Sequence, residues 1–217
     1  MLSHSDFLHR MLSDNQYDLP VKIEEQLMHY LDLLARWNKV FNLTSICDPT
    51  KMILLHILDS LSIHPYVHGT RIIDVGTGAG LPGIPLALVQ PEKQFVLIDS
   101  NNKKTRFLTH VVLELKLNNV EIIHSRCEDL HSEKLFDSIL SRAFTSLRVM
   151  LETTQHLLNR QGVFLVMKGL YPEQEIRDIP QGFELLAVHK LAIQGLNAER
   201  HLVCLAKEED KWEKPLQ

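Results

Sequence analysis

The sequence predicts an α/β fold: a mostly parallel sheet with helices on both faces, ended by an antiparallel hairpin and preceded by a helical cap. Three observations carry this. From residue 70 onward β-branched runs alternate with helical stretches; the last two strand-like runs, near 183–191 and 200–206, are joined by a turn; and residues 20–63 show helical periodicity alone. With 217 residues, 45% of them apolar, the chain is long enough for one substantial core plus an appendage. The expected organisation is a cap over 1–66, a ligand-binding sheet domain over 67–207 and a polar tail over 208–217.

Within the cap, Ile23, Leu27, Leu31, Leu34, Trp37 and Phe41 recur at three- and four-residue intervals after Pro20, the pattern of an amphipathic helix. Asp48-Pro49 supplies an N-cap and a first helical residue for a second helix running to about Ile63. Strands follow near 71–75, 94–99, 120–125, 136–141 and 162–168, with helices near 83–89, 103–117 and 146–158. The helix from Lys103 gathers Phe107, Leu108, Val111, Val112 and Leu115 on one face.

The most telling segment joins the first of these strands to its helix. Gly76, Gly78 and Gly80 let the backbone take positive φ and bring amides against a ligand where a Cβ would clash. Leu81 stands where the dinucleotide fingerprint needs a third glycine or alanine, and no Gly-Lys-Ser or Gly-Lys-Thr follows, so NAD, FAD and a phosphate-cradling loop fit poorly. A tight strand-to-helix turn without a ligand is the alternative. Asp99, 23 positions beyond Gly76, ends the second strand, where a carboxylate can accept from both hydroxyls of a ribose. Capping the next helix is its other common use.

Composition excludes several classes. No apolar run is long enough to span a bilayer, and the start lacks a basic segment followed by a long apolar one, so a cytoplasmic protein with no membrane association is expected. Cys47, Cys127 and Cys204 are odd in number and widely spaced, against both a disulfide framework and a zinc site. The 12 histidines form no metal-binding pair on a predicted helix face, and no metal is indicated. A net charge of −4 argues against non-specific nucleic-acid binding, so any basic surface is local. Candidate clusters are Arg36 with Lys39; Lys103, Lys104 and Arg106; Arg142 with Arg148; and Lys168. Each alone is more often a solvated helix end. Part of the negative charge sits in the tail segment Glu208-Glu-Asp. With no coiled-coil repeat, a monomer is expected.

The turn Asp-Val-Gly-Thr-Gly-Ala-Gly, the acid ending the second strand and the closing hairpin together resemble the Rossmann-like class I S-adenosylmethionine-dependent methyltransferases. Closer still, Arg36-Trp-Asn-Lys, Phe41-Asn-Leu-Thr-Ser, His56-Ile-Leu-Asp-Ser, Gly78-Ala-Gly-Leu-Pro-Gly-Ile-Pro, Ser141-Arg-Ala-Phe, Met167-Lys-Gly and Glu199-Arg-His-Leu resemble the ribosomal RNA small subunit methyltransferase G family, also called the glucose-inhibited division protein B family. The likeness covers about residues 20–206; Ala79 replaces a proline often found there, and the tail carries no motif. It implies transfer of a methyl group from S-adenosylmethionine to N7 of a guanine in 16S ribosomal RNA, free or in the small ribosomal subunit.

The resemblance further implies that the cofactor is bound by Gly76 and its turn with Gly78 and Gly80, by Leu81, Asp99, Cys127, Glu128 and Arg142. Alternatives stand beside several of these. Without the resemblance Glu128 reads first as half of an exposed acidic pair with Asp129, and Arg142 reads equally as an ion-pair partner of Asp137 or Glu128. His56 and Asp59 share a helix face that can meet the ligand edge, or form a helix-stabilising pair. Trp37, Asn38 and Asn42 are candidates to stack on or hydrogen-bond a splayed RNA base, although Trp37 also fits the apolar stripe. Arg36, Lys103, Lys104, Arg106 and Lys168 are candidate RNA contacts, with Lys168 equally readable as solvated. Arg142, Lys168, His56 and Asp59 are the candidates nearest the chemistry, and no general base is required, because guanine N7 has a free lone pair. Two rival functions stay open: methylation of a small molecule or protein, and a nucleotide-binding module without catalysis.

Overall fold

Seven apolar-rich runs become strands: β1 (Arg71–Val75), β2 (Gln94–Asp99), β3 (Val120–His124), β4 (Phe136–Arg142), β5 (Leu158–Lys168), β6 (Phe183–Lys190) and β7 (His201–Lys207). They form one sheet in the order β3-β2-β1-β4-β5-β7-β6, seen in a computed structural model that describes residues 3–142 and 146–208. Ala143 and Phe144 of the quoted motif, and the acidic tail from residue 209, lie outside the described residues. β1 to β5 are mutually parallel, and β7 runs antiparallel to both β5 and β6. The parallel strands read as near-continuous apolar runs because both faces are covered.

The helices are α1 (His4–Asp14), α2 (Val21–Phe41), α3 (Pro49–Met52), α4 (Asp59–Leu61), α5 (Gly83–Val89), α6 (Asn102–Leu115), α7 (Leu147–Thr154) and α8 (Glu173–Arg177). Two of them escaped the sequence reading. α1 opens on a capping box in which Ser3 and Asp6 bond reciprocally, and it buries Leu8, Met11 and Leu12. α8 is a five-residue turn too short to show a period. The continuous helix expected over 49–63 is also corrected, because a π-helical segment, Ile53–Leu58, separates α3 from α4 and rotates the residues around His56.

One apolar cluster joins cap to sheet: Leu27, Tyr30 and Leu34 of α2, Ile53 and Ile57, Phe95 and Leu97 of β2, Phe107 and Leu108 of α6, and Leu202 of β7 are all essentially without exposure. A second cluster fills the opposite face, where Ile73, Val75 and Ile139 meet Leu147, Met150 and Leu151 of α7. Trp37 belongs to the first cluster, its ring 5.6 Å from Phe107, 5.2 Å from Phe41 and 5.5 Å from His110. Packing, rather than base stacking, is what holds this side chain. Asn38 is engaged within the chain, accepting from the Thr44 amide at 2.8 Å, and Asn42 caps α2 in the left-handed conformation at φ 52°.

Candidate active site

Parallel strands all end at one edge, and the loops leaving it converge. Gly76 after β1, Ile98, Asp99 and Ser100 at the end of β2, Ser125 to Glu128 after β3, and Arg142 at the end of β4 line a cavity of about 310 Å³ together with Lys104. That is the crevice where open α/β sheets bind ligands, and its volume is at the small end for such sites.

Asp99 is the polar centre of this cavity. Its carboxylate is 6% exposed; Oδ1 accepts from the Asn101 amide at 2.8 Å, while Oδ2 accepts from the Gly78 amide at 2.9 Å and from Lys104 Nζ at 3.3 Å. Carboxylates offer about four acceptor positions, so one stays open and the long Lys104 contact can release a second. Two such positions suit the hydroxyls of a ribose. The helix-cap alternative goes to another residue, since Asn101 caps α6 through the Lys103 amide.

The glycine turn is built differently from a row of free amides. Thr77 donates to the Ile98 carbonyl at 3.1 Å, Gly78 to Asp99, and Gly80 and Leu81 to the Thr77 carbonyl at 2.9 and 3.1 Å. These four donors are spent within the chain, which corrects the expectation of exposed amides throughout 76–80. Gly76, Gly78 and Gly80 do take positive φ, at 64°, 64° and 93°. At Gly80 an added Cβ would come within 2.6 Å of Ile84 and Leu108, so that glycine serves close packing. Leu81 is buried in the apolar core at 4% exposure. Gly76, Asp99, Cys127, Glu128 and Arg142 are thus brought together around the cavity, whereas Gly78, Gly80 and Leu81 shape the turn behind it.

Beneath the turn lies a carboxylate that the motif reading passed over. Asp74 of β1 is wholly buried; its Oδ2 accepts from Thr77 Oγ1 at 2.6 Å and from the Gly83 amide at 2.9 Å, while Oδ1 has no partner among the described residues. Burial pushes its pKa up to about 7, against the opposing pull of those hydrogen bonds and of the Arg142 charge. The signal was available, as an acid inside an apolar strand just before a glycine turn. From the cap, Tyr30 reaches the same turn, its buried hydroxyl donating to the Ala79 carbonyl at 2.8 Å.

Arg142 finds neither partner that the sequence suggested. Asp137 is occupied by the Thr70 and Arg71 amides and by Asn159, and Glu128 by the Cys127 thiol at 3.1 Å. Instead Arg142 Nη1 donates to Asp59 at 3.1 Å and to the Leu55 carbonyl at 3.0 Å. Asp59 also receives Arg200 Nε at 2.7 Å, a residue not singled out individually from sequence because this carboxylate lies 141 positions away. The expected His56–Asp59 pair is absent among the described residues: His56 Nε2 meets Thr44 Oγ1 at 3.0 Å, and its ring is 2% exposed. Burial, then the Arg142 charge, lowers the His56 pKa to about 4.

Other candidates are placed apart. Lys168 is 13% exposed in its side chain and bonds both Glu175 oxygens at 2.9 and 2.8 Å; Glu175 in turn accepts from the Leu147 amide at 2.7 Å. Neither a solvated lysine nor a free phosphate contact describes it. Arg36, Lys103 and Arg106 are exposed, and Lys104 is turned inward onto Asp99. Cys127 and Cys204 are buried thiols whose pKa burial raises to about 11, so both stay neutral at physiological pH; Cys47 is exposed.

Comparison with known proteins agrees in both sequence and shape. The profile of a family described as "rRNA small subunit methyltransferase G" matches residues 23–203. A ribosomal RNA small subunit methyltransferase G of Pseudomonas aeruginosa strain PAO1 is 47% identical over 205 residues, covering 94% of this chain and 96% of the relative. Its counterpart in Aeromonas hydrophila is 51% identical over 178 residues, covering 82% and 83%. Among solved structures, an S-adenosylmethionine-dependent methyltransferase of Aquifex aeolicus superposes with a TM-score of 0.58 at 19% identity, over 73% of this chain and 93% of that one. A glycopeptide N-methyltransferase complexed with (S)-adenosyl-L-methionine gives 0.60 at 10% identity, over 70% and 95%. At such identities the structural likeness speaks to fold alone.

Proposed function

The chain belongs to the rRNA small subunit methyltransferase G family, and from that premise we propose that it methylates N7 of a guanine in 16S ribosomal RNA. It is an S-adenosylmethionine-dependent enzyme of the class I methyltransferase fold. The observation that carries the reading is the cavity in which Gly76, Asp99, Cys127, Glu128 and Arg142 meet at the carboxyl edge of the sheet. Its residues fit the cofactor: two acceptor positions on Asp99 suit a ribose, and the Cys127–Glu128 turn beside it suits an adenine edge.

S-adenosylmethionine, when bound, supplies a methyl group on a sulfonium for in-line displacement. The chain's own part is to hold and orient. Asp99 fixes the sugar end, and Arg142, itself fixed by Asp59 and the Leu55 carbonyl, presents its remaining N–H donors to the cavity. Attack by N7 releases no proton from the base, so His56, held neutral and buried against Thr44, is a structural group in this reading. Lys168 keeps the start of α7 in place through Glu175. No helix among the described residues is long and apolar enough to cross a membrane. The proposed setting is the cytoplasm, where small-subunit RNA resides, with the enzyme acting as a single chain.

Mass spectrometry of 16S ribosomal RNA nucleosides from cells with and without this gene tests the reading. Loss of one N7-methylguanosine, restored by the intact chain and not by Asp99→Ala, is the expected result. Unchanged N7-methylguanosine together with loss of another methylated nucleoside would assign a different acceptor atom.

A further inference from the structure

Two guanidinium groups share one carboxylate, and one of them, Arg142, lines the cavity. Asp59, 4% exposed in its side chain, accepts from Arg142 Nη1 at 3.1 Å and from Arg200 Nε at 2.7 Å. Further bonds of these arginines go to backbone carbonyls, Leu55 at 3.0 Å and Glu199 at 2.7 Å, so both Nη2 groups lack a partner among the described residues. The arginine side chains are 23% and 20% exposed.

Charge around this triad does not balance. Two cations and one anion leave an excess of one positive charge. Nearby acids are committed elsewhere: Asp99 to Lys104, Glu175 to Lys168, and Glu199, 3.6 Å from Lys190. His56 contributes no negative charge, and Asp74, buried beside Arg142, bears only part of one at neutral pH. As a staple between cap and sheet, one arginine would suffice. A partly buried ion pair roughly breaks even on its own, and a second guanidinium adds desolvation cost without a second carboxylate. An incoming anion offsets that cost.

Position identifies the anion. Lys168 pairs with His201 across β5 and β7, and Arg142 with Met167 across β4 and β5, so Arg200 stands at the same carboxyl edge as the cavity. An RNA substrate brings phosphate there, and the planar fork of arginine matches it. We propose that Arg200, oriented by Asp59, binds a backbone phosphate of the RNA and seats the strand beside the methyl donor. This rests on the reading of the enzyme as a small-subunit RNA methyltransferase. Asp59 acts through the arginine and is a positioning residue.

The test measures methyl transfer and binding with whichever of deproteinised 16S ribosomal RNA or small ribosomal subunits the unsubstituted enzyme accepts. Arg200→Ala is expected to raise the KM for RNA about tenfold with kcat little changed, and to lower the slope of log affinity against log salt by about one. Affinity for S-adenosylmethionine, read by calorimetry, stays within about twofold. Asp59 also holds Arg142, so Asp59→Asn is compared at saturating S-adenosylmethionine; added there to Arg200→Ala, it raises the RNA KM no further. Should the alanine variant lose its fold, Arg200→Gln, which keeps a donor toward Asp59 without the charge, is judged by the same criteria. An unchanged RNA KM and salt slope overturns the proposal, as does an equal loss of cofactor affinity. If the unsubstituted enzyme transfers no methyl to either RNA form, the functional reading fails before any variant is compared.

Discussion

Asp74 and His56 are two buried titratable groups whose effects on stability run in opposite directions. Asp74, raised from 3.8 to about 7, keeps its proton in the folded chain where the unfolded chain has lost it, so stability falls as pH rises from about 4 to about 7. His56, lowered from 6.5 to about 4, stays neutral in the folded chain where the unfolded chain is protonated, so stability rises over about pH 4 to 6.5. The slopes offset each other in the unsubstituted protein. Asp74→Asn leaves the His56 slope uncovered, and the urea midpoint climbs more steeply from pH 4.5 to 6.5 than in the parent. His56→Gln does the reverse. Equal profiles for all three proteins in urea titrations would contradict both assignments. At this scale the sequence exposed the acid at Asp99 because its distance from a glycine turn is a local fact. It did not show that Asp59 pairs with Arg200, because their meeting depends on a fold that brings positions 141 apart into contact.

At the scale of elements, a hydrogen bond from Tyr30 of α2 to the Ala79 carbonyl joins the cap to the glycine turn. Tyr30→Phe keeps the ring in the core but leaves that carbonyl without its donor, at a cost of about 1–3 kcal/mol. In a chain of this length that is a fall in melting temperature of several degrees, measurable by calorimetry. Weaker binding of S-adenosylmethionine should accompany it, because the turn borders the cavity at Gly76. Element order and type were legible where periodicity is long: the 21-residue α2 and the strands of the parallel sheet fall close to where the pattern puts them. α8 was not legible, being one turn long, and neither was the π-helical interruption, since local propensity does not distinguish it from α-helix.

Across the whole molecule, a net charge of −4 coexists with a local gathering of basic side chains. Basic side chains meet at the carboxyl edge through strand register, a relation that composition does not contain. The shared core has its own result. Leu27, Tyr30 and Leu34 pack against Phe95 and Phe107, so the cap has no complete interior of its own. A fragment of residues 1–66 is expected to lack sharp amide dispersion in NMR spectra; a well-dispersed spectrum would show that the cap folds alone. During synthesis those leucines emerge first and wait for partners encoded far downstream. The nascent cap therefore keeps its apolar stripe uncovered until the second strand and its following helix have been made.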